Sequence, residues 1–152
     1  MILGKKTEDI YLQIFLDISK TIHKLANKKN NMKPLIIDRS KWRTGGNKLN
    51  EQYGDTKLLN DKGFMCCLGF YCLQIGNKKT QDIEDIALPE NLDNYDGIEA
   101  LINNKTYYNS DFTETAIRIN DSTETDNDLR EHKIIEHFKE INVSVNFVGE
   151  YV

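Results

Sequence analysis

The run Gly63-Phe-Met-Cys-Cys-Leu-Gly-Phe-Tyr-Cys72 constrains this chain more than any other stretch. It holds all three cysteines among Phe, Met, Leu and Tyr, with Gly69 in the middle. An apolar run with a glycine at its centre has to be built into the interior, with other backbone passing close at that glycine. It reads as a short helix ending at Gly76, where a residue with positive φ can stop it. The preceding Lys57–Cys67 stretch reads as a hairpin, turning at Asn60-Asp61-Lys62-Gly63.

The cysteines admit three readings. Zinc would need the CxxC spacing that lets two thiolates reach one ion, and Cys66, Cys67 and Cys72 lack it. No metal and no cofactor are therefore expected. A nucleophile at Cys66 or Cys67 would stand where an extended strand enters a helix. Free amide N–H groups there favour a thiolate, and His132 or His137 could serve as base. Core filling accounts for the same residues without any chemistry, since Cys behaves as a small apolar side chain.

Elsewhere the pattern alternates between helix and short strand. Residues 7–28 form an expected long helix: Thr7 caps it, and Ile10, Ile14, Ile18, Ile22 and Leu25 make one apolar stripe. Lys33–Asp38 reads as a buried strand opened by Pro34. Residues 81–104 suggest two short helical pieces around Pro89. Residues 110–122 fit a strand or a helical turn. A helix follows, capped by Thr125 or Asp126, with Leu129, Ile134, Ile135, Phe138 and Ile141 as its inner face. Val143 to Val148 closes the pattern as a half-buried strand. With 152 residues, one domain over 1–152 is expected. The expected fold is α+β: a small, mostly antiparallel sheet packed against the long N-terminal helix and the C-terminal helix.

The net charge of −4 is unevenly spread. Residues 20–48 carry nine Lys and Arg against one acid, a net of +8, and residues 81–131 carry fourteen acids against three bases, a net of −11. Such a chain can hold an anion at its basic part without being a general nucleic-acid binder. Its acidic part could instead mimic nucleic acid toward a basic protein. The Met1–Phe15 segment is interrupted by Lys5, Lys6, Glu8 and Asp9, so neither a signal peptide nor a membrane span is expected. An odd number of cysteines suits a reducing compartment, which points to the cytoplasm.

The basic stretch contains the candidate binding loop, Arg39 to Lys57. Arg39, Lys41, Arg43 and Lys48 bring positive charge, Trp42 offers a flat face for a base, and Gly45-Gly46 could turn backbone N–H groups toward an anion. No GKS or GKT follows, so it is not a Walker loop. Asn120 and Asp121 lie at a junction before the last helix, where side chains either cap backbone or touch a ligand. The same loop reads equally as a solvated segment whose Trp packs back on the core.

Together these segments resemble a family of small uncharacterised bacteriophage and prophage proteins. The resemblance rests on Trp42-Arg43 with Gly45-Gly46, Leu58-Leu59, Gly63, the Met65–Phe70 run, Asn120-Asp121, Arg130-Glu131 and Phe147-Val148, with Thr44 departing from the pattern. It implies a host-modulating, counter-defence factor acting in the host cytoplasm. The expected function is sequestration of a phosphate-bearing nucleotide signal without catalysis, by a possible homo-oligomer. Arg39, Lys41, Arg43 and Lys48 would take phosphate, Trp42 the base, and Asn120 and Asp121 further hydrogen bonds. A cysteine-dependent hydrolase or transferase and a protein inhibitor of a host defence enzyme are the alternatives.

Overall fold

A computed structural model of the chain describes residues 13–21, 33–45, 53–102, 111–123 and 125–151. Contacts divide it into two compact units, Met1–Lys33 and Pro34–Val152. In the first, residues 13–21 are helical, and Ile14, Phe15, Leu16 and Ile18 are exposed. The remainder of the expected 7–28 helix, with Thr7 and His23, lies outside the described residues.

The second unit begins with strand β1 (Leu35–Asp38). Helix α1 (Cys67–Gln74) and the one-turn helix α2 (Thr80–Ile83) follow, then a 3-10 turn at Pro89–Asn91. Helices α3 (Glu99–Ile102), α4 (Phe112–Asn120) and α5 (Asn127–Lys139) lead to strand β2 (Val145–Val148). The class is α+β. The sheet, however, is a parallel pair, with Leu35 opposite Val145 and Ile37 opposite Phe147. This corrects the antiparallel expectation. The chain between the strands carries helices α1 to α5 among its described residues, a long crossover of the kind that a parallel pair requires.

Two strands alone are marginal in water. Here α1 lies against β1 and α5 against β2, and α4 fits between those helices. The helix laid on β1 is thus the cysteine-bearing one. Leu35 and Ile37 are fully buried, whereas Ile36 between them faces the other way. The outer edge of β1 is also closed: Gln74 accepts from Ile36 N–H (2.9 Å) and donates to its carbonyl (2.7 Å). That side chain acts as one rung of a missing third strand.

Gly69 is where α1 meets the chain entering the turn. A Cβ there would stand 1.8 Å from the Leu58 carbonyl oxygen, so any side chain would displace backbone. The turn itself is tied by Asn60, whose side-chain oxygen accepts from Lys62 and Phe64 N–H while its amide donates to the Tyr53 and Asp55 carbonyls.

The ambiguous 110–122 stretch is helical, because Asp111 caps it by accepting from Thr113 N–H (3.0 Å). Asp126 caps α5. The inner face of α5 differs from the expected one. Ile134, Phe138 and Ile141 are buried, but Leu129 is 42% exposed and Ile135 only partly covered. Arg130, Glu131 and His137 take the inner positions instead. Each is buried with a partner: Arg130 on Asn127 and the Ser122 carbonyl, Glu131 on Arg39, His137 on the Phe112 carbonyl.

Candidate functional site

The loop after β1 does not extend into solvent. It is bridged to the start of α1, with Met65 N–H donating to the Lys41 carbonyl and Arg43 N–H to the Met65 carbonyl. Trp42 is consequently carried inward and is 6% exposed. Its ring contacts Phe147 at 4.9 Å and Tyr151 at 6.4 Å between centroids. The flat face expected for a base is therefore occupied by the protein's own aromatics.

Asn120, the last residue of α4, is the centre of this region. Its side-chain oxygen accepts from Trp42 Nε1–H (2.8 Å) and from Cys67 N–H (3.1 Å). Its amide donates to the Arg43 carbonyl (3.0 Å) and to Asp121 Oδ1 (2.8 Å). An Asn side chain has two donors and two acceptor sites, and all four are used. Its backbone carbonyl also receives the Gly45 N–H at 3.0 Å. Gly45 itself must be small, since a Cβ would stand 2.4 Å from Asp121 Cα. The amide expected to cradle an anion thus binds the chain.

The cations are distributed over different partners. Arg39 forms a two-pronged pair with Glu131, Nε to Oε1 at 2.6 Å and Nη2 to Oε2 at 2.8 Å. Arg43 donates to the Gly54 carbonyl (2.8 Å) and the Thr44 carbonyl (2.6 Å). Lys41 is exposed. Lys48 and Gly46 lie outside the described residues. Arg39, Trp42 and Arg43 therefore face separate partners, carbonyls and a carboxylate, rather than one shared hollow.

A hollow does exist at the head of α1. It measures about 170 Å3, and its lining includes Thr56, Cys66, Cys67, Leu88, Asn120 and Asp121. Cys66 is the residue before the first turn of α1, with the Leu68 and Gly69 N–H groups near it. Burial pushes its thiol up to about 11 all the same, even though the Gly69 and Leu68 N–H groups oppose the shift. Burial likewise holds Cys67 well above the usual thiol range and Cys72 up at about 12. The thiols are protonated at neutral pH. The histidines considered as bases serve elsewhere: His137 is bonded to the Phe112 carbonyl (2.9 Å) and stacked on the Phe112 ring, and His132 is exposed.

Asp121 is the one carboxylate among those lining residues. Burial raises its pKa, against the Asn120 hydrogen bond, the Arg43 charge, the Gly45 N–H and the Arg130 charge. Among the expected site residues, Asn120, Asp121, Cys66 and Cys67 thus share one place, while Arg39 belongs to a separate cluster. Tyr151 and Thr56 are not singled out by residue pattern, and Glu131 enters only through the Arg130-Glu131 pair of the resemblance, with no site role. Glu131 had a readable signal, because it stands three and seven residues before Ile134 and Phe138 and so falls on the buried face of α5. Among the described residues, no group of three or more His, Cys, Asp and Glu is placed to hold a metal ion.

Comparisons with family models, with curated proteins and with solved structures give no match.

Proposed function

We propose that this chain is a non-catalytic binding protein, of the phage-encoded, host-modulating kind its Met-Cys-Cys-Leu-Gly-Phe run suggests, and that a small ligand sits at the head of α1. The cavity bounded by Cys66, Asn120 and Asp121 carries this reading. About 170 Å3 is close to the size of apolar cavities that hold a single benzene-sized molecule. Buried, protonated thiols support binding rather than turnover. A carboxylate in the wall favours a ligand that donates a hydrogen bond over one that presents phosphate. The nucleotide-signal form of the proposal would need Arg39 and Arg43 to leave their present partners.

Native mass spectrometry of protein purified from cells undergoing phage defence tests the proposal. A retained small mass, lost when Ala87 at the cavity rim becomes Trp, is the expected result. A bare wild-type mass, together with no fragment shifting the Ile117 or Thr56 methyl resonances, would remove it.

A second reading has its own observation. Asp82, Glu84, Asp85, Asp93, Asp96 and Glu99 are all exposed along the 80–99 segment. That surface suits a basic host protein, whose binding would weaken steeply between low and physiological salt.

A further inference from the structure

Of the two aromatic rings that pack on Trp42, Phe147 and Tyr151, the second is the more exposed. After β2 the chain turns at Gly149, whose φ of +75° is a glycine conformation. Glu150 is exposed, and Tyr151 then lays its ring back across the surface. That ring lies 5.6 Å from the Arg39 guanidinium carbon and 6.4 Å from the indole centroid. Its hydroxyl donates to Glu131 Oε1. Tyr151 itself is 40% exposed, against 6% for the Trp42 it covers.

What lies beneath is assembled without Tyr151. The Arg39–Glu131 fork is closed by its own two hydrogen bonds. Phe147 backs the guanidinium at 5.8 Å and the indole at 4.9 Å. The indole N–H is fixed by Asn120. Arg39 Nη1 holds the Gly149 carbonyl at 3.1 Å, on the strand side of the turn. A flat cation, an indole edge and a carboxylate oxygen therefore form a preorganised seat, and the phenol of Tyr151 fills it.

We infer that Glu150 and Tyr151 form a strap over a latent aromatic-binding seat at Arg39, Trp42 and Glu131, and that its external ligand is a planar ring bearing an O–H or N–H donor. The donor replaces the Tyr151 hydroxyl on Glu131, and the ring stacks on the guanidinium as the phenol does. Free phenols and nucleobases share this chemistry. The seat is distinct from the cavity at the head of α1, and the inference does not depend on a ligand there.

The chain has one tryptophan, so its fluorescence reports the seat directly. Tyr151→Ala, folded by circular dichroism, is expected to shift Trp42 emission to longer wavelength and to make it more open to acrylamide quenching. p-Cresol and adenosine are titrated separately, to tell a phenol from a nucleobase as the ligand, with 4-methylanisole as the ring without a donor. At least one of the first two should bind the variant about tenfold more tightly than wild type, as expected if the strap is open in roughly a tenth of molecules; 4-methylanisole should not. Unchanged emission and quenching with no binding of either donor ring would overturn the inference. Should Tyr151→Ala fail to fold, the wild type decides by NMR: the bound donor ring must drive the Tyr151 ring signals toward those of free tyrosine. Binding that leaves them in place, or no binding at all, overturns it equally.

Discussion

The indole N–H of Trp42 donates to the side-chain oxygen of Asn120 at 2.8 Å, across 78 positions of sequence. The bond joins the loop after β1 to the end of α4, and the same oxygen receives the first amide of α1 from Cys67. Three segments thus depend on one side chain that is 1% exposed.

Replacing Asn120 tests that dependence. Asn120→Ala leaves the Trp42 and Cys67 N–H groups buried without acceptors, each worth about 1–3 kcal/mol. A total loss of about 3–5 kcal/mol is expected in denaturant unfolding. Asn120→Asp keeps an acceptor for Trp42 but sets a second carboxylate beside Asp121 and loses the donors. It should be no less damaging at pH 7 and should partly recover at acidic pH.

Glu131→Gln breaks the fork with Arg39 while keeping shape. Removing one partner of a fully buried pair costs about 3–5 kcal/mol. The Arg39 side chain keeps 25% exposure, so water compensates part of that, and about 2 kcal/mol is expected. Tyr151 loses the charged acceptor of its hydroxyl at the same time, and Trp42 emission should move with the stability.

Thiol chemistry separates the binding reading from the enzyme reading. With Cys66 pushed up to about 11, roughly one molecule in three thousand carries its thiolate at pH 7.5. Native protein should label slowly with iodoacetamide, Cys66 before Cys67 and Cys72 because it alone of the three keeps any exposure, 4% against none. All three should label quickly in denaturant. Rapid, stoichiometric labelling of native Cys66 near neutrality would favour a nucleophile.

Asp121 should give a distinctive pH dependence. Its folded pKa lies above the ordinary aspartate value of 3.8, with burial as the main cause. The folded state then binds the proton more tightly than the unfolded one. Below about pH 3.8 the group is protonated in both states and carries no penalty; as pH rises through the raised folded value, stability falls, and above it the penalty is constant. Asp121→Asn removes this contribution. The variant's Tm should gain on wild type as pH rises from 3.5 to 7. A constant difference would show that the Asp121 charge is fully compensated in the folded protein.

Gly69→Ala should cost on the order of 4 kcal/mol, because the new methyl would meet the Leu58 carbonyl oxygen rather than a side chain that can move aside. A variant with wild-type Tm would mean that the turn and α1 are not in such close approach.

Much of the local structure was legible before any coordinates. The turn chemistry of Asn60 to Gly63, the cap at Asp126 and the helix through Cys67 each depend on neighbours within a few residues. The stretch around 110–122 was not decided by its alternating pattern, because a strand and a short helix place Ala116 and Ile119 about equally well; the cap from Asp111 selects the helix. The direction of the sheet was beyond reach for a different reason. Leu35 and Val145 are far apart in the chain, and either strand direction buries the same alternate side chains.

The candidate loop divides along the same line. Its composition, with arginines, an indole and glycines together, determined which groups could act there, and the apolar Met65–Phe70 run determined that this part of the chain had to be interior. Which way those groups point was decided by partners far along the chain, Asn120 for Trp42, Glu131 for Arg39 and Tyr151 over both. A buried donor has to find an acceptor wherever the fold brings one, and that proximity is a property of the packed molecule, not of any window of its sequence.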